Sequence, residues 1–461
     1  MSTLTTPARS WTTDELLERL SRLHLAYLVV AAAGAVALGV ALATVRLKVV
    51  AAVVAMMVGA GMALVRPDIG LLLLIIADTA ELSRVVSSQS PFTAVRILGA
   101  LIALSWLARG GAARTGRSLA SPQFAFMVGY FLVAFSSLFY AAWPQLAEPI
   151  LREYLMIVLL FVLVVALSTG PRQMRAVTWS LVVAALASMA IALRQYEPHM
   201  HRLATSQSNP NYFALNLVAV LPLALYLGIG ERSRLLRLGA LPAAVVMMWG
   251  IAKTFSRGAF LGLATVLVMV VVHLLGYPRR ASRSLLLPVA GVVLVSALLM
   301  PSGYVDRIRS ITAERPDASI WRRRETNKAT WQMFLDHPLL GVGVGNSTRW
   351  SVVYRPEIGF VRAPHNIVLE VASETGLLGL ACFAAALGYA CWDLGRAARQ
   401  FRGQGDWRMY AVCSAYLVGM TGFMVTALFK TATVVRILWL MVAMSVVARN
   451  LTRQPPGEAG P

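Results

Sequence analysis

Residues 25 to 43 read LAYLVVAAAGAVALGVALA, an uninterrupted apolar run without one charged side chain. Coiled as a helix it is about as long as a hydrocarbon core is thick. The run LLPVAGVVLVSALLM at 286 to 300 is of the same kind, and similar segments recur along nearly the whole chain. Between them no interval is large enough for a soluble domain of ordinary size. With 58% of its 461 residues hydrophobic and 14% charged, the chain reads as an integral membrane protein. The expected architecture is all-α: a polytopic helical bundle of about 12 to 14 membrane segments.

Charge gives the orientation. The segment 1–24 carries Asp14, Glu15, Glu18, Arg19 and Arg22 and has no small-residue cleavage site after a short apolar core, so it reads as a cytoplasmic amphipathic segment that is kept. The clusters ARGGAARTGR (108–117), PRQMR (171–175), ERSRLLR (231–237), PRRASR (278–283) and GRAARQFRGQGDWR (395–408) fall on one side of the alternating runs. By the positive-inside rule that side is the cytoplasm, and the tail 450–461 joins it. The net charge of +21 is spread over these short connections instead of forming one patch, so it speaks for membrane orientation and against nucleic acid. Cys382, Cys391 and Cys413 lie in or beside apolar segments and read as packing residues.

Two connections on the opposite side are long. One is RQYEPHMHRLATSQSNPN (194–211); the other runs over 303–364, dividing membrane helices at 25–302 from a second set at 365–449. Loops of such length are functional or disordered, and this one has internal order. WRRRETNKATWQMFLDHP (321–338) places Ala329, Met333 and Phe334 near helical spacing, and the helix is expected to stop before Pro338. The following GVGVGN (341–346) has no strand before it and no phosphate-loop lysine, so it reads as a flexible turn and not as a nucleotide cradle.

Beyond the loop, APHNIVLEVASETGLLGL (363–380) begins an apolar stretch that continues to Tyr389 but is headed by His365, Asn366, Glu370 and Glu374. Ionisable groups at the edge of a membrane are costly and mark either a still-hydrated helix end or a site. His365 is the leading candidate for chemistry, since imidazole alone exchanges a proton near neutrality without a shifted pKa. Histidines at 24, 199, 201, 273 and 337 occupy edges and turns. Arg257, in KTFSRGAFLGL, stands where a membrane helix begins, a place where arginines also snorkel to the interface. Arg322, Arg323 and Arg324 could equally form a solvated helix face. All of them lie on the side of the long loop. No H-x-x-x-H or carboxylate pair of ligand spacing occurs there, and Glu370 and Glu374, one turn apart, are expected to turn inward to polar partners; no metal and no cofactor is expected.

Several separated stretches together resemble one family. His365-Asn366, nine residues, Gly376, two residues, Gly379 is similar to the pattern of bacterial O-antigen ligases. NPN (209–211), FSRG (255–258), the loop helix ending in DHPLLGVGVGN and then PHN (364–366) follow in the order of the wider superfamily of O-antigen ligases and polymerases, over roughly residues 200 to 385. The resemblance implies a glycosyltransferase of the C-type fold, GT-C, in the bacterial inner membrane, with 303–364 as a large periplasmic loop and the active site facing the periplasm. It implies metal-independent, inverting transfer of O-antigen polysaccharide from undecaprenyl pyrophosphate to the lipid A core oligosaccharide, in lipopolysaccharide biosynthesis. Carried over residue by residue, His365 matches the family's essential histidine and Arg257 the arginine of the SR pair. Arg323 is the best match for the loop arginine by its distance from DHP. Asn209, Asn211, Arg322, Arg324, Asn366 and Glu374 are supporting candidates. Around Asn327 and Trp331 this sequence departs from relatives, which often carry tryptophan at the former position.

The chemistry of the residues is compatible with that assignment. A pyrophosphate leaving group needs concentrated positive charge, which guanidinium groups supply bidentately, and a neutral imidazole taking the proton of a sugar hydroxyl is worth about 10² to 10⁴ in rate. An O-antigen polymerase and a protein O-oligosaccharyltransferase share this donor chemistry and differ in acceptor. A transporter or flippase for lipid-linked sugars is a different class, and predicts internal repeats and mid-membrane charges. No clear repeat stands in the sequence, and its intramembrane charges lie near helix ends.

Overall fold

The computed structural model describes residues 58–80, 94–196, 202–205, 209–231, 233–274, 279–300, 303, 318–359 and 363–453. The amphipathic segment 1–24, the apolar run 25–43, His199, His201 and most of the C-terminal tail lie outside the described residues. The rest is helix and connecting turn, with no strand among the described residues.

The first helices in chain order are α1 (Pro67–Thr79), α2 (Ala94–Ala108), α3 (Gly111–Leu119), α4 (Pro122–Tyr140) and α5 (Pro144–Leu167). There follow α6 (Pro171–Gln195), α7 (Pro210–Gly230), α8 (Arg234–Lys253), α9 (Arg257–Leu274) and α10 (Arg279–Leu298). The long connection holds α11 (Ala318–Asp336) and α12 (Ser347–Tyr354), and the chain closes with α13 (Ile367–Gly403), α14 (Trp407–Ala427) and α15 (Arg436–Arg453). Many of these boundaries are written locally. α1, α4, α5, α6 and α7 each begin with proline, whose fixed φ suits the first turn and whose missing N–H is no loss there. Side-chain oxygens of Ser121, Asn366 and Asp406 accept from backbone N–H groups of the first turns of α4, α13 and α14.

Eight of the described helices, α4 to α9, α13 and α14, are long and apolar enough to cross a membrane, and α2 and α10 contain shorter apolar stretches. α7 is the central element, buried along nearly its whole length between α8 and α14. Without a hydrophobic driving force inside lipid, such helices cohere by close packing of small residues. At Gly419 an added Cβ would lie 2.4 Å from the carbonyl oxygen of Ala219, and at Gly262 2.8 Å from that of Gly422, so α14 and its neighbours touch backbone to backbone.

The alternation of basic clusters is reproduced in space. Arg175 at the start of α6 pairs with Glu231 after α7. The hydroxyl of Tyr410 in α14 donates to the carbonyl of His273 in α9 (3.2 Å), and Gln400 at the end of α13 donates to Thr452 (2.9 Å). Asn450 of α15 donates to Ser118 of α3 (3.0 Å). The basic connections thus converge at one end of the bundle, and the starts of α7, α9 and α13 stand at the other.

Candidate active site

α13 has 37 residues, about 55 Å of helix and far more than a bilayer core requires. It is broken at Gly376, whose φ of 63° and ψ of −162° belong to a region that essentially only glycine occupies. The piece before the break carries the polar head, and the piece after it runs on past Tyr389 to Gly403, farther than the apolar run alone indicated.

A broken helix leaves carbonyls and N–H groups without helical partners, and buried ones must find others. The segment 338–343 supplies them. The N–H groups of Leu377 and Leu378 donate to the carbonyls of Pro338 (2.7 Å) and Leu339 (3.3 Å). The N–H groups of Val342 and Gly343 donate to the carbonyls of Ser373 (2.8 Å) and Glu374 (3.1 Å). GVGVGN is therefore no flexible turn. Gly341, Gly343 and Gly345 all have positive φ, Val344 and Asn346 are fully buried, and a Cβ on Gly341 would lie 2.4 Å from the Ser373 oxygen. The Asn346 side chain accepts from the N–H of Trp143 (2.9 Å) and donates to its carbonyl (3.3 Å), anchoring the loop on the α4–α5 turn. α11 ends at Asp336, before Pro338, as its sequence indicates, and Ala329 and Met333 pack with Val342 as the core of the loop.

Elsewhere in the structure four cations line one small open cavity of about 40 Å³: Arg202, Arg257, Arg323 and Lys430. The lining is completed in part by Asn211, Ser256, Phe255 and Phe429. Arg257 comes from the first residue of α9. The chain reverses into that helix through Phe255, whose φ of +50° is the only positive value at a non-glycine position among the described residues. Such a conformation costs about 1 to 3 kcal/mol and survives where its surroundings over-determine it. Here Thr254 and Ser256 are buried on either side, and the Ser256 hydroxyl accepts from Ala259 (3.4 Å). Arg202 comes from the shorter loop, where its Nε donates to the Thr254 carbonyl (2.7 Å) and its Nη2 to Asn211 Oδ1 (3.0 Å).

Lys430 lies in the α14–α15 connection, buried, with its ammonium 4.1 Å from the ring centre of Tyr212. A negative ring face favours a cation placed over it. The Tyr212 hydroxyl shares a hydrogen bond with Thr431 (2.8 Å). The same connection is held by Glu370 of α13, whose carboxylate accepts from the Ala432 N–H (3.0 Å) and the Thr433 hydroxyl (3.0 Å). One carboxylate thus couples the helix headed by His365 to the loop that carries Lys430.

Of the residues singled out from the sequence, the structure brings Arg257, Arg323 and Asn211 to one cavity. Of three successive arginines only Arg323 lines it; Arg324 is solvent-exposed, and Arg322 is half-buried on the same helix. His365 is half-buried just before α13 and is not among the residues lining the cavity. The Asn366 oxygen is engaged in capping α13, accepting from Val368 and Leu369 (2.9 and 3.2 Å), and Asn209 caps α7 by accepting from Asn211 (2.9 Å). Glu374 is buried and accepts from Ser347 (2.5 Å). In the loop, the hydrogen bond from Lys328 (2.8 Å) holds the Glu325 carboxyl below the usual carboxylate range, with Arg355 adding to it. Burial and the hydrogen bond to Asp336 push the Tyr354 hydroxyl up to about 12.

Arg202 and Lys430 are the two site residues that sequence reasoning passed over. A signal for Lys430 existed, since it is the only charged residue between Arg408 and Arg436, and a lone cation in membrane-spanning sequence is a functional candidate by default.

No curated protein matches the chain. A family model described as O-Antigen ligase matches residues 242–384. The matched segment begins within α8 and ends within α13, and it contains Arg257, Arg323, His365 and the Gly376 break, while Arg202 and Lys430 lie outside it. Over this segment the chain is similar to the O-antigen ligase family.

Proposed function

We propose that the chain transfers O-antigen polysaccharide from undecaprenyl pyrophosphate to the lipid A core, at a site on the periplasmic face of the bacterial inner membrane. The observation that carries the reading is the cavity around which four cations from four separate elements meet. Guanidinium and ammonium groups brought together in this way offer a polyanion several charge-assisted hydrogen bonds at once. A lipid-linked diphosphate has the matching charge, and its long anchor suits a cavity at the end of a membrane bundle.

The reaction follows from the groups at hand. A hydroxyl of the acceptor sugar attacks the anomeric carbon from the face opposite the diphosphate, so configuration inverts. The bond from that carbon to the diphosphate oxygen breaks, and its electron pair leaves with the lipid diphosphate. Arg257 and Arg323 bind the departing oxygens bidentately, and Arg202 and Lys430 add charge around them. His365 takes the acceptor's proton as the new bond forms. Asn366 holds the first turn of α13, and hence the imidazole, by capping.

The test is transfer from purified undecaprenyl-diphosphate polysaccharide to purified lipid A core by the reconstituted chain, in the presence of a chelator. His365→Ala is expected to lower the rate by about 10² to 10⁴; an unchanged rate removes the catalytic assignment. Product formed on a second lipid-linked glycan instead of the core identifies a polymerase.

A further inference from the structure

α11 has two working faces. Inward it sends Arg323 to the cavity and buries Thr326, Ala329, Thr330 and Met333. Outward it presents Trp321, Arg324, Lys328, Trp331 and Leu335, all exposed and spaced three or four residues apart, so that they form one narrow stripe. Its composition, two tryptophans and a leucine around Arg324 and Lys328, the latter exposed while also bonded to Glu325 (2.8 Å), is that of a helix lying in a headgroup layer. There indole rings sit at the interface and basic side chains reach anionic phosphates.

The stripe does not end in water. Past Leu335 the chain exposes Leu339 (64%) and Leu340 (39%). Leu339 is hydrogen-bonded through its carbonyl to Leu378 of α13, and Leu340 through its carbonyl to Tyr140 of α4. Leu378 is itself half exposed and Phe139 of α4 is 83% exposed, both on helices that are apolar enough to cross the membrane. The outward face of α11 therefore continues the apolar wall that these helices turn to lipid.

We infer that α11 is a membrane-surface helix, and that its stripe of Trp321, Arg324, Lys328, Trp331 and Leu335 docks on anionic phospholipid headgroups at the end of the bundle that carries the cavity. The consequence is mechanical: the helix that delivers Arg323 takes its height from the membrane surface. The inference does not depend on the proposed transfer reaction, and its readout needs no substrate.

The full chain is reconstituted in nanodiscs of phosphatidylcholine alone, or with roughly one third phosphatidylglycerol, with and without brominated acyl chains. Tryptophan quenching is compared for wild type, Trp321→Phe, Trp331→Phe and, as control, Trp350→Phe, whose ring packs against Trp143 in the loop. Emission lost in the two stripe variants is expected to be quenched by bromolipid about twofold more than that lost in the control. Arg324→Glu combined with Lys328→Glu is expected to remove the difference in the anionic discs. Stripe emission quenched by aqueous acrylamide but not by bromolipid overturns the inference, as does equal quenching in both lipids that the charge reversal leaves unchanged. Emission that follows the number of chains per disc instead of the lipid assigns the stripe to a second copy and overturns it equally.

Discussion

Gly376 bears the sharpest constraint at the scale of single residues. Its backbone conformation is one that a Cβ disfavours, and the added atom would lie 2.3 Å from the carbonyl carbon of Leu339, which the Leu378 hydrogen bond holds in place. Gly376→Ala is expected to cost at least about 2 kcal/mol, strain and overpacking together, read as a lowered thermal midpoint in detergent. Gly388, in the same helix, has nothing within 4 Å of its would-be Cβ. Gly388→Ala is expected to be neutral or to stabilise by up to about 1 kcal/mol. Equal effects at the two positions would mean that the stitched break is not where α13 is constrained. The spacing His365-Asn366 to Gly376 and Gly379 was legible in sequence, but the reason for the first glycine, a break sealed by a distant loop, was not.

Elements bring in dependence on partners. Glu370 couples α13 to the Lys430 loop through two hydrogen bonds, and removing a buried acceptor orphans a backbone N–H at a cost of about 1 to 3 kcal/mol. Glu370→Ala is expected to lower the transfer kcat about tenfold or more while the bundle stays folded. Glu370→Gln, which keeps one acceptor oxygen, should recover part of that loss; a kcat equal to wild type in both variants would show the coupling to be idle. In the loop, Glu325 titrates lower when folded than when unfolded, because Lys328 and Arg355 favour its charged form. A group of that kind contributes stability above its unfolded pKa and loses it as pH falls through the folded value. Acidification through the carboxylate range is therefore expected to speed hydrogen exchange over 318–359, corrected for intrinsic rates. Glu325→Gln should flatten that dependence.

For the molecule as a whole, the two ends differ in kind. At one end basic clusters are spread over several connections, some paired, as Arg175 with Glu231 and Arg449 with Asp393. At the other, four cations from four separate elements meet around one cavity. Such a cavity ties stability to anions: a ligand that binds only the folded chain stabilises by about 2.7 kcal/mol at a hundred times its Kd. Inorganic diphosphate is accordingly expected to raise the thermal midpoint of wild type, less so at high salt because screening weakens exposed pairings. Lys430→Met should reduce the shift, as one of the four cations around the cavity is withdrawn. An unchanged diphosphate shift would place anion binding elsewhere.

What the sequence determined by itself is what near neighbours along the chain decide. Apolar runs set the membrane helices, prolines and capping side chains set many of their ends, and the alternation of arginine clusters sorted those ends into two sets. Each is a local or periodic property, legible because its physical cause lies within a few residues. The tertiary structure alone decided which of Arg322, Arg323 and Arg324 meets Arg257, and that Arg202 and Lys430 join them from far along the chain. It also turned GVGVGN from a supposed flexible turn into the piece that seals a broken helix. A one-residue step turns a side chain by about 100° around a helix, and a hydrogen bond across hundreds of residues leaves no periodic trace. Packing, which acts between residues remote in sequence, made those choices.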